Sequence, residues 1–129
     1  MILLDTHVWI WWIEGNDSLR PSLRDRIDSE PDLAISAISL VEVATKAARG
    51  TLQLTFPLNE WMDTALNQAG IQLIPISPAV AIEAANLPGD FHKDPADRLI
   101  VATARVHGVA LATQDGTILQ YPHVSLLRP

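Results

Sequence analysis

The chain has no cysteine, one tyrosine and two phenylalanines, and its basic residues are fewer than its acidic ones. Without cysteine it forms no disulfide, offers no thiolate nucleophile and builds no zinc site on sulfur, so a reducing compartment suits it. Nine Lys and Arg against fifteen Asp and Glu give a formal net charge of −6. This balance argues against a protein that binds nucleic acid through a broad basic surface. The negative net charge argues less strongly against nucleic-acid binding where acids converge on a divalent cation, because the ion reverses the local electric field and attracts phosphate.

Long hydrophobic runs are also missing. The apolar run Ile2–Leu4 ends at an acid, far too soon to cross a bilayer. It has neither a basic region before it nor a small-residue cleavage site after it, so it does not resemble a signal peptide. The sequence contains no repeat, low-complexity tract or linker-like stretch. We therefore expect a cytoplasmic protein with no membrane partner, folded as a single domain over residues 1–129.

Hydrophobic periodicity predicts strands that alternate with helices. Buried strands are expected at Ile2–Leu4 and residues 33–35, 71–76 and 109–112, the last a central strand, with a further strand at 124–127. Helices are expected at residues 7–14, 21–30, 39–49, 57–69, 78–87 and 95–107. This alternation predicts right-handed crossovers and a mainly parallel sheet covered on both faces.

Four acidic residues fall where the carboxyl edge of such a sheet is expected. Asp5 and Asp115 each follow a strand, whereas Glu42 and Asp97 lie in the first turns of helices that begin on the same side. Ligands of parallel sheets bind at this edge. Carboxylates so close together repel one another unless a cation lies among them, and oxygen ligands without His or Cys suit Mg²⁺ or Mn²⁺. Because such ions polarise phosphoryl oxygens and activate water, the pattern indicates phosphodiester hydrolysis.

Each acid also has a purely structural interpretation, which the residues by themselves leave open. These interpretations are helix caps for Asp5 (or its neighbour Thr6) and Asp94, a capping box of Ser39 with Glu42, the helix dipole for Asp97 and a turn for Asp115. It is the joint placement of the acids, rather than any one of them, that favours an active site.

Four segments carry these acids in a fixed order. They are ILLDTH from Ile2, SAISLVE from Ser36, HKDPADRLIVATA from His92 and TQD from Thr113. Together they resemble the PIN domain family in its VapC-type toxin group, over nearly the whole chain, and the second-last segment matches the subgroup with His-x-Asp-Pro-x-Asp-Arg. The resemblance implies a PIN-like three-layer α/β/α domain with a central, mainly parallel sheet.

The same resemblance implies a function. Its members are metal-dependent endoribonucleases, commonly the toxin of a toxin–antitoxin pair, inhibited by a small cognate antitoxin and often homodimeric. Carried over to this chain, the acids that would hold Mg²⁺ (or Mn²⁺) and act in catalysis are Asp5, Glu42, Asp97 and Asp115, with Asp94 as a fifth metal ligand. Some PIN proteins process RNA without being toxins, so a non-toxin RNA-processing nuclease remains an alternative.

Five other polar residues are candidates for contacts with the substrate, namely Thr6, Lys46, His92, Arg98 and Thr113. Lys46 lies one turn after Glu42, where it either reaches the site or forms a surface ion pair. Arg98 lies about 100° around the helix from Asp97, which slightly favours a structural pair over RNA. His92 either donates to phosphate or is simply a solvated loop residue.

Three tryptophans are concentrated in the first predicted helix. Trp9, Trp11 and Trp12 make it apolar on more than one face, which exceeds what an amphipathic helix buries. The surplus face is expected to bind a second subunit or an antitoxin helix.

Two other functions compete with the nuclease. In a phosphatase or phosphoacceptor, Asp5 would attack phosphorus directly, but Asp5 has no second acid two positions later, where His7 stands instead. In a non-catalytic metal-binding interaction module, the acids would hold a structural cation and the aromatic helix would meet a partner.

Overall fold

The computed structural model describes residues 1–68 and 70–129 and has the predicted three-layer α/β/α architecture. The four parallel strands are β1 (Ile2–Leu4), β2 (Leu33–Ser36), β3 (Gln72–Ile74) and β4 (Ala110–Ala112), in the order β3-β2-β1-β4. Ile2 pairs with Leu33 on one side and with Ala110 on the other. All carboxyl ends therefore lie at one edge of the sheet, as the sequence predicts.

Helices cover both faces of this sheet. They are α1 (Thr6–Glu14), α2 (Pro21–Asp28), α3 (Ala37–Ala48), α4 (Leu58–Asp63), α5 (Pro78–Ala85), α6 (Pro95–His107) and α7 (Gly116–Leu119). Alternate strand residues divide between two apolar clusters, because successive side chains of a strand point to opposite faces. Leu4 and Ile35 belong to the cluster with Trp9, and Leu3 and Ala34 belong to the cluster built on α6.

The predicted bounds of α6 are confirmed at both ends. Asp94 accepts a hydrogen bond from the backbone N–H of Asp97 at 3.1 Å, and Pro95 follows at the first helical position. Gly108 ends the helix with φ of 62°, a left-handed conformation that glycine adopts without steric cost. Because α6 begins where the sequence predicts, Asp97 lies in its first turn.

The predicted start of α3 is wrong. The helix begins at Ala37, directly after β2, and the Ser36 hydroxyl caps it by accepting from the N–H of Ile38 at 3.2 Å. The capping box of Ser39 with Glu42 therefore does not form, and Glu42 lies in the second turn instead of the first. The apolar periodicity and the serines at 36 and 39 are compatible with either helix start. The helix starts after Ser36 because that residue, at the end of β2, already has the extended backbone of an N-cap.

From residue 57 onward, four elements differ from the prediction. The helix predicted for residues 57–69 is α4 followed by a π-helical turn, Thr64–Gln68, and its predicted end at residue 69 lies outside the described residues. The strand predicted at 124–127 is a single bridge between Leu111 and Leu126. Strand β4, predicted to be central, lies at one end of the strand order, where this bridge is its outer neighbour. Helix α7 was not predicted, because its single turn is too short to show periodicity.

The three tryptophans of α1 differ in burial. Trp9 is fully buried, whereas Trp11 and Trp12 are half-buried against the same core. Trp12 also donates to the Asp28 carboxylate at 2.8 Å. The use of α1 as a surface for a second subunit or an antitoxin stays a prediction. Among the residues described, no helix is long and apolar enough to cross a membrane.

Candidate active site

Asp5 stands at the carboxyl end of β1 and is only 3% exposed. Its Oδ1 accepts from the N–H of Thr6 at 2.8 Å, so it caps α1, and its Oδ2 accepts from the Thr113 hydroxyl at 2.6 Å. The Thr113 hydroxyl in turn accepts from the N–H of Asp115 at 3.0 Å. Asp5 therefore caps α1 from the carboxyl edge of the sheet, and Thr113 joins the ends of β1 and β4.

Glu42 reaches the same edge from α3 through Thr6. The Thr6 hydroxyl donates to Glu42 Oε1 at 2.5 Å and lies 2.8 Å from the Ser39 hydroxyl. Because the single Thr6 proton goes to the carboxylate, Ser39 must be the donor in the second bond. These hydrogen bonds hold Glu42 near Asp5. They also give the buried Ser39 hydroxyl a partner inside the protein, so Ser39 does not act as a helix cap.

Asp97 arrives from the first turn of α6, next to the loop that carries His92. His92 Nε2 lies 3.0 Å from Asp97 Oδ2, an ion-pair distance, although the approach lacks hydrogen-bond geometry. Asp94 is exposed and uses Oδ1 to cap α6. Asp115 uses Oδ1 to cap α7 by accepting from Thr117 at 2.8 Å. The structural interpretations of Asp94 and Asp115 therefore describe real contacts of one carboxylate oxygen each.

The pKa values show that these acids share one electrostatic environment. Burial raises the pKa of Asp5 to about 6, with smaller contributions from the charges of Glu42 and Asp115 and an opposing effect of the hydrogen bonds from Thr113 and Thr6. Burial also raises the pKa of Asp97 to about 7, assisted by the charges of Asp5, Asp94 and Asp115. Four segments that are far apart in the sequence thus bring carboxylates within range of mutual repulsion.

The donors suit a hard divalent cation. All are carboxylate oxygens, which Mg²⁺ and Mn²⁺ prefer. A bound cation would favour the ionised forms of Asp5 and Asp97, whose pKa values burial and neighbouring carboxylates raise. As placed, no three Asp, Glu or His side chains of residues 1–68 and 70–129 stand close enough together to hold an ion. The carboxylates would have to turn inward to ligate a metal.

His7 contacts the acidic site but was not among the predicted site residues, although it belongs to the segment ILLDTH that starts at Ile2. His7 Nδ1 lies 3.3 Å from Asp5 Oδ2, and its Nε2 accepts from the N–H of Gln114 at 3.1 Å. Because Nε2 is an acceptor, the ring proton is on Nδ1, facing the carboxylate. Burial lowers the pKa of His7 and so favours this neutral form. Its position in the first turn of α1, two residues after Asp5, is the sequence feature that could have predicted His7 at the site.

The two candidate basic residues are placed differently. Lys46 is exposed on α3, near enough to His7 to lower the pKa of that ring, and it forms no ion pair with Glu42 in the described part of the chain. Arg98 points away from the acids. Its guanidinium donates to three backbone carbonyls, including those of Phe91 at 3.1 Å and His92 at 3.3 Å, so it anchors the loop before α6.

The fold and the site define a parallel α/β domain that carries carboxylates from four segments at the carboxyl edge of its sheet. Comparison with known proteins gives the family. The family model of the PIN domain matches residues 2–124. The chain belongs to the PIN domain family. It is 37% identical over 122 residues to Ribonuclease VapC22 of Mycobacterium tuberculosis, covering 95% of this chain and 92% of that relative.

Solved structures share the fold. The chain is similar to one in VapBC2 from Rickettsia felis bound to a promoter DNA fragment, with a TM-score of 0.70, 21% identity and 98% coverage of both chains. It is also similar to one in a toxin–antitoxin complex from Klebsiella pneumoniae, with a TM-score of 0.68 and 24% identity, covering 96% of this chain and 95% of the other. At these identities the likeness concerns the fold.

Proposed function

We propose that this protein is a divalent-metal-dependent endoribonuclease and the toxin of a toxin–antitoxin pair. One observation carries the metal-dependent part of the proposal. Asp5, Asp97 and Asp115, with Glu42 beside them, come from separate elements and interact electrostatically at the carboxyl edge of the sheet. Such an arrangement costs stability unless it serves a ligand of opposite charge.

The chemistry divides between the ion and the chain. When bound, Mg²⁺ or Mn²⁺ would polarise a phosphoryl oxygen of RNA and lower the pKa of an attacking water. Asp5, Glu42, Asp97 and Asp115 are the residues that would hold it, with Asp94 at the edge of the set. Thr113 and Thr6 hold Asp5 and Glu42 at the edge of the sheet through hydroxyl hydrogen bonds, and these bonds would have to adjust as the two carboxylates turn toward the ion.

Contacts with the substrate are assigned to the remaining polar residues. Lys46 is exposed and close enough to His7 to lower the pKa of that ring, and it suits a phosphate of the RNA backbone. His92 lies against Asp97 and suits a second phosphate oxygen or the leaving group. Arg98 contributes indirectly, because it anchors the loop that carries His92.

The choice of RNA and of a toxin role is supported by the relatives. The 37% identical relative is called a ribonuclease, and the similar solved structures are toxin–antitoxin complexes. We accordingly propose a cognate antitoxin, a homodimer and a cytoplasmic location, with all 129 residues in one domain. The alternative of a non-toxin RNA-processing nuclease shares the same chemistry.

The phosphoacceptor alternative is disfavoured by the surroundings of Asp5. Both oxygens of its carboxylate accept hydrogen bonds, and the side chain is almost fully buried. A nucleophilic oxygen must reach a substrate phosphorus, which this burial prevents, whereas each hydrogen-bonded carboxylate oxygen keeps a second lone pair for a small cation.

Cleavage of single-stranded RNA by the purified protein tests the proposal. We expect cleavage with Mg²⁺ or Mn²⁺, none in excess EDTA, and a loss of at least about 100-fold in Asp97→Asn, the scale on which a removed group of a metal centre acts. Asp25→Asn removes an exposed carboxylate of α2 and should cleave like the wild type. Cleavage that persists in chelator contradicts the metal mechanism, and failure of the folded wild type to cut any RNA contradicts the proposed activity.

A further inference from the structure

An open groove of about 490 Å³ lies beside the acidic site, between the loop that precedes α6 and helix α7. The side chains that matter in its lining are Asp90, Phe91, His92, Thr117, Gln120 and Tyr121. The residues proposed to hold the metal do not line it. It is therefore a separate cavity next to the proposed centre.

Two contacts make the groove continuous with the acidic site. His92, which lines the groove, has Nε2 at 3.0 Å from Asp97 Oδ2. On the opposite wall, the N–H of Thr117 donates to Asp115 Oδ1 at 2.8 Å. A strand of RNA with its scissile phosphate at the acids would thus have a neighbouring nucleotide at the groove.

The walls combine aromatic and polar groups. The Phe91 ring lies 4.6 Å from that of His92 and 4.7 Å from that of Tyr121, between ring centroids. The Tyr121 hydroxyl donates to the carbonyl of Pro88, which fixes this wall to the loop. The polar lining side chains of Asp90, Thr117 and Gln120 are exposed and supply both donors and acceptors.

The charge of the lining favours an uncharged occupant over a phosphate. Among the described residues no Lys or Arg lines the groove, and Asp90 adds a negative charge. A planar, uncharged group with polar edges fits better, because it can lie against aromatic rings and pair with an amide and a hydroxyl. Single-stranded RNA presents such groups as unstacked bases, and proteins read them by aromatic contact and edge hydrogen bonds.

We propose that this groove binds one unstacked base of the RNA next to the scissile phosphate and sets the base preference of the cut. This rests on the proposed ribonuclease function. Gln120 and Thr117 read the base edge, and the Phe91–His92 wall supports its plane. The volume lies within the range of pockets that hold small planar ligands.

Cleavage kinetics on modified oligonucleotides test this inference. Each position flanking the cut carries in turn A, C, G, U or an abasic residue. We expect one position at which the wild type loses about 10-fold or more in kcat/KM without a base. Gln120→Ala and Thr117→Val should flatten the preference at that position alone, mainly through KM. Gln53→Ala, an exposed glutamine on the loop after α3, should keep the wild-type preference. Variants with an unchanged base preference would overturn the inference.

A second measurement separates this inference from the proposed activity. Uncharged nucleosides are titrated into metal-free protein in EDTA, and the side-chain amide of Gln120 is followed by NMR. Saturable shifts of that amide, lost in Thr117→Val, support the groove even if no RNA is cut. Absence of shifts for all four nucleosides at millimolar concentration overturns it, whatever the nuclease assay gives.

Discussion

Hydroxyl groups, rather than the acids alone, define the site at the scale of single residues. Thr6 and Thr113 each place a short hydrogen bond on one carboxylate, at 2.5 Å for Glu42 and 2.6 Å for Asp5. Both threonines are buried, so the bonds form away from competing water. The orientation of the carboxylates therefore depends on residues that have no charge of their own.

Replacing Thr6 tests this dependence. Thr6→Val keeps the shape but removes the hydroxyl that holds Glu42 and accepts from Ser39, so we expect a fall in kcat/KM of at least 10-fold and a stability loss of about 1–3 kcal/mol. Thr6→Ser retains the hydroxyl and should recover most of the activity. RNA cleavage and urea unfolding measure the two effects. Full activity in Thr6→Val would mean that this hydrogen bond does not orient the site.

The raised pKa of Asp97 makes the stability of the metal-free protein depend on pH. Its pKa of about 7 lies above the ordinary value of 3.8, so the folded state holds the proton more tightly than the unfolded chain. The resulting stability is complete below the ordinary value and is lost as the pH rises through about 7.

Asp97→Asn should therefore raise the melting temperature in EDTA by roughly 3–5 °C at about pH 8, the scale of 1 kcal/mol in a domain of this size. At about pH 5 the gain should be small, because the wild-type carboxyl is then mostly protonated. The control is Asp25→Asn, which should change little at either pH. An equal gain for Asp97→Asn at both pH values would show that the pKa of Asp97 is not raised in the folded protein.

Single residues were predictable where a motif fixed them and unpredictable where the partner came from elsewhere. Asp94 could be predicted as a cap from its position before Pro95, since that contact is local. His7 could not be placed against the backbone of Gln114, because that contact joins residues far apart in the sequence. Ser39 was predicted to cap α3 for the same reason: its actual partner, Thr6, lies far away in the sequence.

At the scale of elements, long helices and buried strands were predictable and short or late ones were not. The thirteen residues of α6 carry a strong apolar face and two clear end signals. The four residues of α7 are too few to show an apolar face, and its one end signal, the Asp115 cap, also suits a simple turn. The central position expected for β4 was wrong because uninterrupted apolar character reports burial, whereas position in the sheet depends on the pairing of whole strands.

The cap of α6 separates a structural role from a metal role at Asp94. Asp94→Ala removes the bond to the N–H of Asp97 and should cost about 1 kcal/mol, whereas Asp94→Asn keeps a cap of similar strength. Because Asn also removes the charge, we expect Asp94→Asn to be as stable as the wild type and several-fold less active. Thermal melts and RNA cleavage decide this. Wild-type activity in a stable Asp94→Asn would limit Asp94 to capping.

At the scale of the whole molecule, the parallel sheet explains how an acidic protein can act on a polyanion. Its topology brings Asp5, Glu42, Asp97 and Asp115 to one edge from four separate segments. A bound divalent ion there would change a local excess of negative charge into an attraction for phosphate. The formal charge of −6 then describes the metal-free chain rather than the working site.

The central claim is that these four carboxylates act as one metal site, and calorimetric titration of Mn²⁺ into the purified protein tests it most directly. The variants are Asp5→Asn, Glu42→Gln, Asp97→Asn and Asp115→Asn, each shown to be folded by circular dichroism, with Asp25→Asn as the matched control. We predict that each of the four weakens Mn²⁺ binding by at least about 10-fold, since each removes a charged ligand, and that the control binds like the wild type. Wild-type affinity in the four folded variants, or an equal loss in the control, would contradict the account.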